Sequence, residues 1–164
     1  MQLNIIVLTL LVSLQSFSLG QQQQQKKETV LRDIVFMRTE GLIMTQMMEK
    51  HSKNKNMLAI CKRAKSYYTS TQPMLLEITK GKALDLDKRQ FEQIWKEAEK
   101  SFQKYTIKNE DEWNRMYEGH IHACIRAYSL LVQEQQWPDI AYFSFHALPG
   151  LINLEEAFKQ LDVN

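Results

Sequence analysis

The sequence predicts an all-α protein, an antiparallel bundle of four main helices with one extra short helix. Apolar residues recur at spacings of three and four along most of the chain, and no stretch alternates apolar and polar residues as a strand does. Breaks between the periodic stretches occur at a segment rich in Ser, Lys and Asn, residues 52–56, at Gly81 and at Asn109. The 164 residues, 44% of them hydrophobic, suit one domain with a single core.

Residues 1–20 are expected to be a signal peptide. They contain an apolar run too short to span a bilayer, and Ser18 and Gly20 occupy the small-residue positions of a cleavage site. Residues 21–28 form a glutamine-rich leader that we expect to be disordered, and the helical bundle domain occupies residues 29–164. The protein is therefore predicted to be exported, periplasmic or extracellular, with no membrane span in its mature form.

The first two helices of the bundle are separated by a segment rich in Ser, Lys and Asn at residues 52–56. The apolar spacing of the second helix continues through Pro73, so we expect one helix kinked at that residue and not two elements. Gly81 is expected to end this helix, because glycine is favoured just after a helical C-terminus.

The remaining helices are predicted from the same kinds of signal. A third periodic stretch follows Gly81, and the fourth begins after Asn109, a favoured N-cap residue that precedes three acidic residues. The fifth begins at Pro138, since proline is favoured at the first helical position. Pro149 lies within this last helix and is expected to kink it.

One segment of the chain is conspicuously basic. The net charge is only +2, so a nucleic acid is not an expected partner. Six basic residues nevertheless occur with no acidic residue between them: Lys50, Lys53, Lys55, Lys62, Arg63 and Lys65. This basic segment, residues 50–65, could bind an anionic surface such as phospholipid headgroups, lipopolysaccharide phosphates or acidic glycans. The competing interpretation is a solvated face whose charge is balanced by acids elsewhere in the fold.

A metal site inside the bundle is a second hypothesis. Its candidate ligands are Glu40, Glu118, His120 and His122. Glu118 and His122 lie four residues apart on a helix and could chelate one ion, whereas His120 and His122 point about 200° apart and cannot share one. The Glu-x-x-His motif of di-iron bundles is absent from the sequence. We therefore expect no cofactor, with iron, zinc or copper as the alternative.

The two cysteines, Cys61 and Cys124, allow two interpretations. In an oxidising compartment they could form a disulfide, but each also falls on an apolar helix face, as a small buried side chain would. Cys124 follows His120 by four residues and shares its helix face, although this spacing alone does not indicate an activated nucleophile. Phosphate-binding loops, nucleophile elbows and the CxxC and HExxH motifs do not occur, so no enzymatic activity is expected.

The order of these features resembles an exported bacterial family of unknown function with a ferritin-like four-helix bundle, the "predicted outer membrane protein" type of domain. The residues that carry the resemblance are Glu40-Gly41-Leu42, the helix from Met57 to Tyr68, Trp113 to Tyr117 in place of an F-D-x-x-Y box, and Leu148-Pro149. The resemblance implies a ferritin-like bundle. It also implies that a metal site has been lost, since the family's polar interior positions are replaced by Met44, Tyr67, Tyr68, Ile125 and Asn153.

The sequence thus favours a non-catalytic binding or structural module of the cell envelope, whose partners would be envelope components or another protein. Two alternatives stay open. One is a metal-binding or redox stress protein of ferritin-like type. The other is a binder of anionic envelope surfaces through the basic segment, residues 50–65.

Overall fold

The computed structural model describes the backbone of residues 3–81, 88–103 and 110–161, and most side chains from residue 21 onward within these ranges. This part of the chain folds into five helices and contains no strand, which confirms the all-α class. The helices are α1 (Leu3–His51), α2 (Lys55–Thr79), α3 (Lys88–Gln103), α4 (Glu110–Leu131) and α5 (Pro138–Lys159). The shortest of the five, α3, has 16 residues.

The glutamine-rich leader, residues 21–28, is helical, so the expectation that it is disordered is wrong. Its residues continue α1 without a break. Glutamine and lysine are good helix formers, and Gln24 donates to Glu28 one turn later, at 3.0 Å. Lys27 also forms an ion pair of 2.7 Å with Asp139 at the start of α5. This contact between distant parts of the chain helps hold the leader against the rest of the protein.

The predicted helix ends are largely observed. The Asn54 side chain caps α2 by accepting from the backbone N–H of Asn56 at 2.9 Å. After α2, Gly81 adopts a φ of +66°, the left-handed conformation that favours glycine at a helix end. Pro138 is at the first turn of α5, as expected. The proposed N-cap of α4, Asn109, lies outside the described residues, but the three acids that follow it form the first turn of α4.

Four of the helices pack in a closed order: α1 contacts α2, α2 contacts α5, α5 contacts α4, and α4 contacts α1. The helix α3 packs on α1. Both internal prolines are accommodated within single helices, Pro73 in α2 and Pro149 in α5. The side chains that are fully buried between the four helices include Leu31, Ile34, Met57, Tyr117, Ile121, Tyr128, Ile140 and Phe143. In the residues the structure describes, no helix meets the length and apolarity needed to cross a bilayer.

Two adjacent tyrosines of α2 pack against glycines of the two neighbouring helices, α1 and α5. Tyr68 lies over Gly41 of α1, and Tyr67 lies over Gly150 of α5. A Cβ atom at Gly41 would overlap the Tyr68 hydroxyl oxygen, and one at Gly150 would overlap the Tyr67 ring. The two rings contact each other edge to face, with 4.9 Å between their centroids. Glycine at both positions therefore permits the close approach of α1 and α5 to α2.

Candidate functional site

The interior holds a polar cluster formed by Glu40, Tyr68, His120 and Cys124. The centre of the cluster is His120, whose Nδ1 lies 3.2 Å from Glu40 Oε2 and whose Nε2 lies 3.5 Å from Cys124 Sγ. Since His120 and Cys124 are one turn apart on α4, helical geometry alone brings their side chains together. Glu40 reaches His120 from α1, so this contact depends on the packing of α1 against α4.

The polar cluster is shielded from solvent on its thiol side. The Cys124 residue is 4% exposed and the His120 side chain is 7% exposed, whereas the Glu40 side chain keeps 31% of its surface accessible. The carboxylate is therefore the part of the polar cluster nearest to bulk water, and the thiol lies deepest. A charge on Glu40 is partly solvated, while a charge on Cys124 would depend on His120 for stabilisation.

The fourth member of the polar cluster, Tyr68, brings a hydroxyl group that has no hydrogen-bond partner among the described residues, although the atom is fully buried. A Cβ built at Gly41 would overlap this oxygen and would lie 2.9 Å from His120 Nε2. The hydroxyl and the imidazole nitrogen therefore face the same point above the α1 backbone. Burial raises the pKa of Tyr68 well above its usual value, so the group remains a neutral hydrogen-bond donor.

The two partners of His120 control its protonation. Burial by itself lowers the pKa of His120, but hydrogen bonds with Cys124 and Glu40 and the charges of these groups outweigh burial and raise it to about 9. A carboxylate at Nδ1 holds the N–H on that nitrogen and leaves the lone pair of Nε2 facing the thiol. This arrangement can accept a proton from Cys124 and stabilise the imidazolium that results.

The other proposed metal ligands do not join the polar cluster. His122 is on the outer side of α4, 55% exposed, and its Nδ1 pairs with Glu155 of α5 at 2.7 Å. Glu118 lines a surface groove of about 270 Å³ beside the start of α4. Of the four candidates, the structure brings together only Glu40 and His120. In the part of the chain that is described, no three His, Cys, Asp or Glu side chains converge as metal ligands would.

The disulfide considered for Cys61 and Cys124 is not formed. Both residues are free, buried thiols, one on α2 and the other on α4. Cys61 packs among apolar side chains, and burial, followed by the charge of Glu49, raises its pKa to about 11. Cys124 differs because its thiol contacts the imidazole of His120. The two cysteines thus occupy chemically distinct environments, one inert and one beside a base.

All six side chains of the basic segment are exposed: Lys50, Lys53, Lys55, Lys62, Arg63 and Lys65. Acidic residues lie close to them. Lys65 forms an ion pair with Glu49, and Ser52 hydrogen-bonds Glu110 in the acidic first turn of α4. Arg63 lines a groove of about 530 Å³ between α2 and α5. The segment is thus accessible, and its charge is partly balanced by neighbouring acids.

Sequence reasoning missed a buried arginine next to the polar cluster. Arg38, 3% exposed, donates to Thr71 Oγ1 at 2.6 Å and to the carbonyl oxygen of Tyr68 at 2.8 Å. Its guanidinium also lies 5.3 Å from the centroid of the Tyr68 ring and 5.9 Å from that of Tyr67. The available signal was its position four residues after Ile34, on the apolar face of the first helix.

Sequence reasoning also did not identify the uncharged outer face of α5. Between Asp139 and Glu155 the helix has no Asp, Glu, Lys or Arg, and Tyr142 and Phe145 are 60% and 62% exposed on its outer side. The His146 ring contacts the ring of Tyr142, with 4.1 Å between the centroids. Exposed aromatic side chains of this kind are more typical of contact surfaces than of ordinary solvated helices.

In comparisons with known proteins, no family model, no curated protein and no solved structure matches this chain. The candidate site therefore rests on its own geometry.

Proposed function

We propose that the protein is an exported redox protein whose reactive group is the Cys124 thiol. The observation that carries this proposal is the position of His120 between the Glu40 carboxylate and the Cys124 thiol. The proposal is a form of the redox alternative that the sequence left open, with a cysteine in place of a metal. Export is inferred from the composition of residues 1–20.

The chemistry follows from the order of the three groups. A thiolate is the nucleophilic form of cysteine, and a neighbouring imidazole generates it by taking the thiol proton. The Glu40 carboxylate orients the His120 ring. Against the effect of burial, Cys124 and Glu40 together raise the pKa of His120 to about 9. The polar cluster can thus stabilise the thiolate and the imidazolium that form together when the thiol proton passes to His120, in a site from which most water is excluded.

We infer that the scaffold is an antiparallel four-helix bundle of ferritin-like type. The closed packing order of α1, α2, α5 and α4 supports this arrangement. Of the five positions at which the resemblance expects polar interior residues, three hold buried side chains, Met44, Tyr67 and Tyr68. Ile125 is partly buried and Asn153 is exposed. A scaffold of this kind, with thiol chemistry in place of a metal centre, accounts for the residues of the polar cluster.

Alkylation of the two thiols tests the proposed function. Mature protein is treated with iodoacetamide from pH 5 to 9, and peptide mass spectrometry reports the rate at each cysteine. We expect Cys124 to react faster than Cys61 at neutral pH, because His120 stabilises its thiolate. His120→Gln should slow the reaction of Cys124 about tenfold. His122→Gln is the matched control, since His122 lies outside the polar cluster on the same helix.

Circular dichroism first establishes that each variant is folded. Glu40→Gln is a second variant that tests the support of His120, at a side chain less buried than His120 itself. The proposed function fails if Cys124 reacts at the same rate in the native protein and in the His120 and Glu40 variants. In that case the non-catalytic envelope module favoured by the sequence remains, together with the second candidate function below.

Binding to an anionic surface is a second candidate function, favoured by the exposure of all six side chains of the basic segment. Association with phosphatidylglycerol vesicles should weaken as salt is added, because salt screens exposed charges. Reversal of charge at Lys62, Arg63 and Lys65 together should abolish the association, and neutral phosphatidylcholine vesicles serve as the control. Binding that survives the reversal contradicts this candidate.

A further inference from the structure

We infer that the oxidant of Cys124 is hydrogen peroxide or another small hydroperoxide, and that the Tyr68 hydroxyl donates a hydrogen bond to the oxygen placed on the sulfur. The inference rests on the proposed function and names its substrate class. It assigns Cys124 as a site of reversible oxidation to sulfenic acid. It also gives a role to the one hydroxyl of the polar cluster that has no partner among the described residues.

The burial of the polar cluster selects the size and charge of the oxidant. Cys124 is 4% exposed, and the grooves lined by Arg63 and Glu118 do not include it. A bulky disulfide or a charged oxidant would have to enter this interior and lose its hydration, which is costly. Hydrogen peroxide is close to water in size, is uncharged, and can both donate and accept hydrogen bonds. The polar cluster therefore suits a small hydroperoxide.

The step balances with the groups present. The Cys124 thiol gives its proton to His120 Nε2, and the thiolate sulfur attacks one peroxide oxygen. A sulfur–oxygen bond forms while the oxygen–oxygen bond breaks, and the departing hydroxide takes the proton from His120 to become water. The sulfur loses two electrons to the peroxide, so the products are Cys124 sulfenic acid, one water molecule and neutral His120. Glu40 stays ionised throughout and stabilises the transient imidazolium.

The position of Tyr68 fits a donor to the oxygen atoms of this reaction. Its hydroxyl and His120 Nε2 both face the point above Gly41, where a Cβ atom is absent. A buried hydroxyl without a partner destabilises the resting protein, and an incoming oxygen atom would supply the missing acceptor. Phenylalanine would pack equally well at this position. The presence of the Tyr68 hydroxyl is thus explained if it is a hydrogen-bond donor for the substrate.

The experiment compares phenylalanine and tyrosine at position 68 in a Cys61→Ala background, where Cys124 is the single remaining thiol. The protein is mixed with hydrogen peroxide, sulfenic acid is trapped with dimedone, and intact mass spectrometry gives the rate. We expect Tyr68→Phe to lower the rate about tenfold, the effect of one hydrogen bond to a charged group. Tyr142→Phe, on the exposed face of α5, is the matched control and should leave the rate unchanged. Cumene hydroperoxide, a bulky oxidant, should react far more slowly than hydrogen peroxide.

The outcomes separate the inference from the proposed function. If Tyr68→Phe is oxidised as fast as the parent while His120→Gln is slowed, the role of Tyr68 is wrong and the reactive thiol stands. If hydrogen peroxide leaves Cys124 unmodified although iodoacetamide alkylates it, the oxidant class is wrong. If His120→Gln changes neither reaction, the proposed function itself fails. A purely structural role for the Tyr68 hydroxyl would appear as a lower thermal stability of Tyr68→Phe with no change in oxidation rate, and this result would also overturn the inference.

Discussion

Substitution of Gly41 by alanine tests the close approach of α1 to α2 on which the polar cluster depends. The new Cβ would overlap the Tyr68 hydroxyl oxygen, and it would lie 2.8 Å from Tyr68 Cζ and 2.9 Å from His120 Nε2. Tyr68 has little freedom to move, since it is buried and Arg38 lies over its ring. Forcing a methyl group into such a packed interior costs about 3 kcal/mol. Replacing glycine by alanine within a helix offsets about 1 kcal/mol of that loss. The expected net loss in the free energy of unfolding is about 2 kcal/mol.

Gly119 provides the matched control, because it lies within α4 and a Cβ there has no neighbouring atom within 4 Å. Gly119→Ala should therefore stabilise the protein by up to about 1 kcal/mol. Tyr68→Phe removes the atom that the methyl group meets first, so Gly41→Ala should cost about 1 kcal/mol less in that background. Urea denaturation followed by circular dichroism measures all four variants. The reasoning is refuted if Gly41→Ala is as stable as Gly119→Ala, or if Tyr68→Phe leaves the cost of Gly41→Ala unchanged.

Three further predictions concern other elements. The pKa of His120 rises from 6.5 to about 9 on folding, so its protonated form adds about 3 kcal/mol to the free energy of unfolding. This stabilisation is fully present below pH 6.5 and is lost as the pH rises to 9. Urea denaturation should show this loss in the native protein and in His122→Gln but not in His120→Gln, and parallel pH profiles for all three would contradict it. Arg38→Ala should lower the free energy of unfolding by about 3 kcal/mol. Arg38→Met keeps the volume of the side chain without its charge, and its free energy of unfolding in urea should stay within about 1.5 kcal/mol of that of the native protein. Asn54→Ala should remove the cap of α2 and lower the free energy of unfolding by about 1 kcal/mol. The exposed control Asn56→Ala should lower it by less than about 0.5 kcal/mol. Thermal denaturation measures both variants, and equal losses would argue against the cap.

The helices could be predicted from the sequence because their signals are local. The N-cap at Asn54, the left-handed Gly81 and the proline at the start of α5 act within a few residues of the helix ends that they determine. Apolar spacing likewise places a buried face on each helix without knowledge of its neighbours. Local signals failed for the leader, residues 21–28, because the contact that anchors it joins Lys27 to Asp139 across most of the chain.

The candidate site was predictable only in part, for the same reason. The spacing of His120 and Cys124 on one helix face could be read from the sequence, and Glu40 was among the candidate metal ligands. The sequence did not indicate that Glu40 would face His120, because that contact requires α1 to pack against α4. It equally did not indicate that His122, two residues from His120, would be outside and paired with Glu155.

The tyrosine pair of α2 connects the stability of the fold with the chemistry of the polar cluster. Adjacent residues on a helix point about 100° apart, so Tyr67 and Tyr68 can enter the interfaces with two different helices. Their rings fill space that glycines leave open on α1 and α5, and the Arg38 guanidinium lies over both of them. Apolar rings would serve this packing equally well, whereas the Tyr68 hydroxyl gains no partner from it. The hydroxyl is therefore explained by what it faces, His120 beside Cys124, which is why a loss of oxidation rate without a loss of stability in Tyr68→Phe is the most discriminating result for this protein.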